Sequence, residues 1–119
     1  MAARPSFSVV VPIYGVEPYI RRFAESLLGQ TYDKVQFVFV NDGTKDASIE
    51  VLSSLIDEKF SHLKDRIVIV NKVNQGLPAA RKTGMDYAEG DYVLHVDSDD
   101  WLDCTLLEKL AAKIEETGS

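Results

Sequence analysis

Apolar residues along the chain alternate between two rhythms. Residues 7–12 (FSVVVP) form a nearly continuous apolar run, the pattern of a strand buried on both faces, and Pro12 ends it. After a loop holding Gly15 and Pro18, the residues Tyr19, Ile20, Phe23, Leu27 and Leu28 recur at helical spacing. Pro18 suits that helix's first turn and Gly29 its end. Residues 35–40 (VQFVFV) predict a second strand, stopped by Asn41-Asp42-Gly43. Asp46 or Ser48 can cap a second helix with the apolar stripe Ile49, Leu52, Leu55, Ile56 and Phe60. A third strand is predicted over 66–70, a turn at Asn74-Gln75-Gly76, and a third helix over 77–88. Tyr92, Val93, Leu94 and Val96 then read as a fourth, buried strand. A fourth helix, with Leu106, Leu107, Leu110 and Ile114 on one face, is predicted from Leu102 to about Glu116.

The order β-α-β-α-β-α-β-α predicts a single α/β domain over 1–119: a Rossmann-like, three-layer α/β/α arrangement around a mostly parallel sheet. No repeat, low-complexity segment or linker interrupts it. The composition agrees, with 45% hydrophobic and 27% charged residues over 119 positions. Lys and Arg number 13 against 19 Asp and Glu, a formal net charge of -6 with no basic stripe. Nucleic acid is therefore disfavoured as a partner, while a nucleotide neutralised by a metal is not. Cys104 is the single cysteine, so an internal disulfide is impossible, and a structural thiol fits better than a nucleophile. No apolar run approaches the roughly 20 residues that span a bilayer, and the N-terminus lacks the apolar centre of a signal peptide. These features favour a soluble chain in the cytoplasm, held at the membrane surface if a longer parent is anchored there.

The polar candidates cluster after the strands, where open α/β sheets bind ligands. The fourth strand ends in Asp97-Ser98-Asp99-Asp100. Because side chains alternate along a strand, Asp97 and Asp99 can point the same way. Two converging carboxylates repel unless a cation lies between them, and a hard divalent ion with oxygen ligands would serve. The competing reading is a solvated acidic turn, with Asp99 or Asp100 capping the next helix. After the first strand come Pro12, Tyr14 and Glu17; Tyr14 could stack on a base or be a half-buried loop aromatic. After the second come Asn41, Asp42, Gly43 and Thr44. Asp42 could accept from a base N–H or a ribose hydroxyl, or form an ordinary Asp-Gly turn. After the third come Asn74, Gln75 and Gly76, then Arg81, which suits a phosphate or a surface salt bridge. His95 is expected to face a helix layer, and His62 carries no signal. Tyr14, Asp42, Arg81, Asp97 and Asp99 together make a kit for a nucleoside diphosphate.

Five segments in order also carry a resemblance: VVVPIYGVEPYI at 9–20, LLGQTY at 27–32, FVNDGTKDAS at 39–48, NQGLPAARKTG at 74–84 and GDYVLHVDSDDWL at 90–102. From about residue 7 to residue 102 the chain resembles the N-terminal half of a family 2 glycosyltransferase with the GT-A fold. The resemblance implies inverting transfer of a sugar from a nucleotide-diphosphate sugar, a UDP- or GDP-sugar, to a glycan or lipid-linked acceptor in cell-envelope polysaccharide synthesis. It implies that Pro12 and Tyr14 border the base, that Asp42 contacts base or ribose, and that Arg81 lies near base or diphosphate. Asp97, Ser98 and Asp99 would form the DxD motif, with Asp97 and Asp99 touching ribose and a Mn²⁺ or Mg²⁺ that acts as Lewis acid. Gly15, Asn41 and Lys82-Thr83-Gly84 depart from the family's usual residues. The acceptor site and general base belong to the family's second half, so this stretch is read as a truncated, donor-binding half. Self-association through the face left open by truncation is expected.

Three other readings compete. A haloacid-dehalogenase-type phosphatase is disfavoured because Val40 stands where its nucleophilic Asp should be. A dinucleotide-binding domain lacks its Gly-x-Gly-x-x-Gly after the first strand. A nucleotide-sugar or metal-binding module without catalysis is the non-enzyme alternative.

Overall fold

A computed structural model describes residues 4–97 and 102–117. Four strands form one parallel sheet in the order β3-β2-β1-β4: β1 Phe7–Ile13, β2 Val35–Asp42, β3 Ile67–Lys72 and β4 Tyr92–His95. The helices are α1 Glu17–Leu28, α2 Ser48–Lys59, α3 Leu77–Tyr87 and α4 Leu106–Thr117, with a 3₁₀ turn at Ser61–Arg66. The predicted alternation and α/β class are both present. Among the described residues no helix is long and apolar enough to cross a membrane.

The period of two decides which layer each residue meets. Along β1 every residue is buried, because β1 lies between β2 and β4 and is covered on both faces. Phe7, Val9, Val11 and Ile13, with Phe37 and Phe39 of β2, join the larger core beneath α1, α2 and α4. The intervening Val10, Val38 and Val40 meet Ala80 of α3 on the other side. Gly84 lets α3 approach closely: a Cβ there would lie 2.2 Å from Cγ1 of Val10.

Ser8 is polar yet fully buried on β1. Its hydroxyl donates to Oε1 of Gln36 at 2.7 Å and accepts the amides of Glu89 (3.1 Å) and Gly90 (2.8 Å). This pins the turn before β4 to the strand it will pair with. Gln36 is satisfied as well, donating its Nε2 to the Tyr87 carbonyl at 3.0 Å, so the buried Ser8 hydroxyl and its side-chain partner are both hydrogen-bonded.

Two expectations need correction. The fourth strand is not buried: Tyr92 and Val93 are 36% and 38% exposed, and His95 faces solvent rather than a helix layer. The reason is its place at the sheet edge, where β1 is its partner among the described residues. The last helix starts at Leu106 rather than Leu102. The carboxylate of Asp103 accepts the amide and hydroxyl of Thr105 at 2.7 and 2.6 Å, stabilising a turn in place of a first helical coil. Gln30 fastens that turn to α1, donating to the Asp103 carbonyl at 2.7 Å and accepting the Leu107 amide at 3.0 Å.

Candidate functional site

Parallel strands deliver their C-terminal ends to one edge of the sheet, and a cleft of about 530 Å³ opens there. Pro12, Tyr14, Val16, Asp42, Asn74, Gly76, Leu77 and Asp97 line it. The volume lies within the range of small-molecule sites. Four of the predicted residues, Pro12, Tyr14, Asp42 and Asp97, therefore share one cavity. Arg81 joins them through Asp97, its Nη2 lying 3.4 Å from Oδ1. Ser98 and Asp99 lie outside the described residues.

Asp42 closes β2 and is 4% exposed. Its Oδ1 accepts the Gln75 amide at 3.0 Å and its Oδ2 the Gly76 amide at 3.1 Å. The Lys72 ammonium, at the end of neighbouring β3, stands 3.5 Å from Oδ1. The carboxylate is thus a staple for the loop before α3, a role beyond the Asp-Gly turn or ribose acceptor expected for it. Oδ2 carries a single amide and keeps acceptor capacity. Sequence reasoning missed Lys72, whose signal was its place at the end of the third strand. Gly43 and Gly76 have φ of +70° and +95°. At Gly43 a Cβ would fall 2.7 Å from the Asn74 nitrogen, so glycine is what allows these two loops to touch.

Arg81 sits on the first turns of α3, with its side chain 40% exposed and that of Asp97 56% exposed. Such a pair adds little stability. The Arg81 Nε is buried and has no hydrogen-bond partner among the described residues. Among the described residues each carboxylate lining the cleft thus has a cation beside it, Lys72 for Asp42 and Arg81 for Asp97, which weakens the repulsion these two exert on an anion.

A second network holds the loop that carries Tyr14. The amides of Gly15, Val16 and Glu17 donate in turn to the hydroxyl of Thr44 (2.9 Å), the hydroxyl of Ser48 (3.2 Å) and Oδ2 of Asp46 (3.2 Å). Glu17 returns the bond by accepting the Ala47 amide at 2.9 Å. Asp46 or Ser48 was expected to cap α2, and Ser48 is instead the helix's first residue. Asp46 does accept the Ser48 amide at 3.1 Å, but it stands one residue before the capping position, which Ala47 occupies. The Ser48 hydroxyl above all, with burial opposing it and the Thr44 hydroxyl and two amides adding to it, holds the Asp46 carboxyl at about 2, below the usual 3.8.

The described residues include no cluster of three His, Cys, Asp or Glu side chains able to hold a metal. Asp97 offers an oxygen donor suited to a hard divalent ion. A hard divalent ion bound through one carboxylate commonly completes its shell with water and substrate phosphate oxygens.

The profile of glycosyl transferase family 2 matches residues 8–119. Glycosyltransferase GlyA of Streptococcus pneumoniae is 41% identical over 116 residues, which cover 98% of this chain and 16% of GlyA. S. aureus TarS 1-349 in complex with UDP-GlcNAc superposes with a TM-score of 0.82 at 31% identity, over 93% of this chain and 31% of TarS 1-349. A mannosyltransferase from Pyrobaculum calidifontis, in complex with GDP-Man and Mn²⁺, has a TM-score of 0.73 at 24% identity. It covers 82% of this chain and 28% of its own, and shares the fold. The chain spans well under half the length of these proteins.

Proposed function

The chain belongs to glycosyl transferase family 2, and from that premise we propose that residues 1–119 form the donor-binding half of an inverting, metal-assisted glycosyltransferase of GT-A type. The donor is a UDP- or GDP-sugar, and the acceptor a glycan or lipid-linked saccharide of the cell envelope. The observation that carries this reading is the convergence of Pro12, Tyr14, Asp42 and the Arg81–Asp97 pair on one cleft at the C-terminal edge of a parallel sheet. The UDP-GlcNAc complex of TarS supports a uridine nucleotide, and the mannosyltransferase's Mn²⁺ supports a divalent ion.

In this reading Pro12 and Tyr14 flank the base, the open lone pair of Asp42 accepts from base or ribose, and Arg81 faces the diphosphate. Asp97, Ser98 and Asp99 border the ribose, with Asp97 and Asp99 contributing to the Mn²⁺ or Mg²⁺ site. When bound, the metal supplies Lewis acidity that stabilises the departing nucleoside diphosphate. The protein's own part is to hold the donor in place with its anomeric carbon open to the acceptor hydroxyl. The base that takes the hydroxyl proton, and the acceptor site, belong to sequence beyond this stretch.

The test is calorimetric titration with UDP and GDP, each with and without Mn²⁺, beside the Asp97→Ala/Asp99→Ala double variant. Metal-dependent binding that the double variant loses is expected, and the tighter nucleotide identifies the base. A folded chain that binds neither nucleotide refutes the donor site. Sugar transfer to an acceptor by these 119 residues would refute the division into halves.

A further inference from the structure

Tyr14 is 55% exposed, so burial of its ring does little to fix it. What fixes the loop lies beneath it. Three consecutive amides, Gly15, Val16 and Glu17, each donate to a side chain within residues 44–48, which lead from β2 into the first residue of α2. Two of those acceptors are hydroxyls, and a hydroxyl has one proton to place. The Thr44 and Ser48 hydroxyls both donate to the same oxygen, Oδ1 of Asp46, at 2.7 and 2.6 Å. Their lone pairs are thereby turned toward Gly15 and Val16. The other oxygen of Asp46 takes the Glu17 amide directly. One carboxylate thus sets the direction of every acceptor the three amides use.

We infer that Asp46 is a positioning residue for donor binding: through Thr44 and Ser48 it fixes the loop that holds Tyr14 at the mouth of the cleft. The inference rests on the reading of Tyr14 as a neighbour of the donor's base. Asp46 itself is not among the residues that line the cleft. Its contribution is preorganisation, because a loop already ordered has no ordering cost left to meet on binding. The same brace explains how Gly15, at φ +64°, can adopt a flexible residue's conformation without leaving the loop loose.

The experiment uses UDP with Mn²⁺ as the probe and compares the wild-type chain with Asp46→Ala, Thr44→Val, Asp46→Asn, Tyr14→Ala and Asp46→Ala/Tyr14→Ala. Amide exchange of residues 15–17 is read without ligand, and binding by calorimetry. Asp46→Ala should speed exchange at Gly15, Val16 and Glu17 and weaken UDP about tenfold, while the melting transition stays cooperative. Asp46→Asn keeps a carbonyl for both hydroxyls and loses the Glu17 bond, so it should recover most of the affinity. Thr44→Val releases Gly15 alone and should fall between wild type and Asp46→Ala; it carries the test if Asp46→Ala does not fold. The double variant should bind no more weakly than Tyr14→Ala, because Asp46 acts through Tyr14. Faster exchange with unchanged UDP affinity, or additive losses in the double variant, would overturn the inference. If Tyr14→Ala binds UDP as wild type does, the site reading fails and the inference with it. If Tyr14→Ala weakens binding and Asp46→Ala does not, the inference fails alone.

Discussion

Replacing Asp42 by Asn changes one atom and should release the loop before α3. The two carboxylate oxygens accept different donors, Oδ1 the Gln75 amide and Lys72, and Oδ2 the Gly76 amide. An Asn side chain can satisfy one set with its carbonyl. Its amino group then faces a backbone N–H, donor against donor. With the carbonyl toward Gln75, the Gly76 amide is stranded, at about 1–3 kcal/mol. Lys72, whose side chain is 13% exposed, also loses its counter-charge. Losing the partner of a fully buried pair costs about 3–5 kcal/mol. Here the cost is nearer 1 kcal/mol, because the ammonium keeps the Val73 carbonyl at 3.0 Å and Oε1 of Gln75 at 2.9 Å. The total is about 2–4 kcal/mol. Val73 is 79% exposed, so the loop can open without unfolding the sheet. The loss should therefore appear first as local opening. Amide exchange at Gln75 and Gly76 should accelerate roughly 30-fold or more, since 1.4 kcal/mol is tenfold. The urea midpoint should fall by a smaller margin, and UDP binding should weaken. Adding Lys72→Met should restore part of the loss by removing the unpaired charge. Exchange at Gly76 within about threefold of wild type would refute the staple, as that corresponds to less than about 0.7 kcal/mol.

Further outcomes follow from other close contacts. Gly84→Ala should gain about 1 kcal/mol of helix propensity yet destabilise by about 1–3 kcal/mol net, because its Cβ would meet Val10 at 2.2 Å; urea denaturation of Gly84→Ala, alone and with Val10→Ala, checks whether the two are coupled. Ser8→Ala strands the Gly90 amide and should cost about 1–3 kcal/mol, read as a lower midpoint with unchanged slope; a midpoint equal to wild type would count against the pinning of the turn. The Asp46 carboxyl sits at about 2 in the fold against an ordinary 3.8, so it contributes stability above about pH 4 and loses it as the pH falls through 2. Asp46→Asn should accordingly flatten the stability curve between pH 4 and 2, measured by thermal melts across that interval.

What could be seen in the sequence was whatever a period or a turn residue encodes locally. β1 is legible because both faces are buried, so its whole run is apolar. β4 looks equally apolar, but burial depends on a neighbouring strand, and the string Tyr-Val-Leu-His does not say where in the order β3-β2-β1-β4 it falls. The start of α4 was misplaced for a similar reason, since Gln30 of another segment helps hold the turn at Asp103. The gathering of Tyr14, Asp42, Arg81 and Asp97 was foreseeable from the rule that parallel strands end on one side. The partners of Asp42 were not. Lys72 and the amides of Gln75 and Gly76 reach it only through the pairing of β2 with β3. Ser98 and Asp99 fall outside the described residues, so their part rests on the resemblance and on family membership.

The seat of β4 has a consequence for the order of assembly. β1, synthesised first, is central; β2 joins one side of it and β3 extends that side as each follows along the chain. The other side of β1 must wait for β4, with the bonds between Ser6 and Asp91 spanning 85 positions. Closing so long a loop costs more entropy than any earlier pairing in the sheet, and the rest of the sheet can form without it. Asp97 lies two residues past the end of β4 and reaches the cleft only when that strand docks. The Asp97 wall of the cleft is thus laid last, after the strands that carry Pro12 and Asp42 and lead into Tyr14 are already in place.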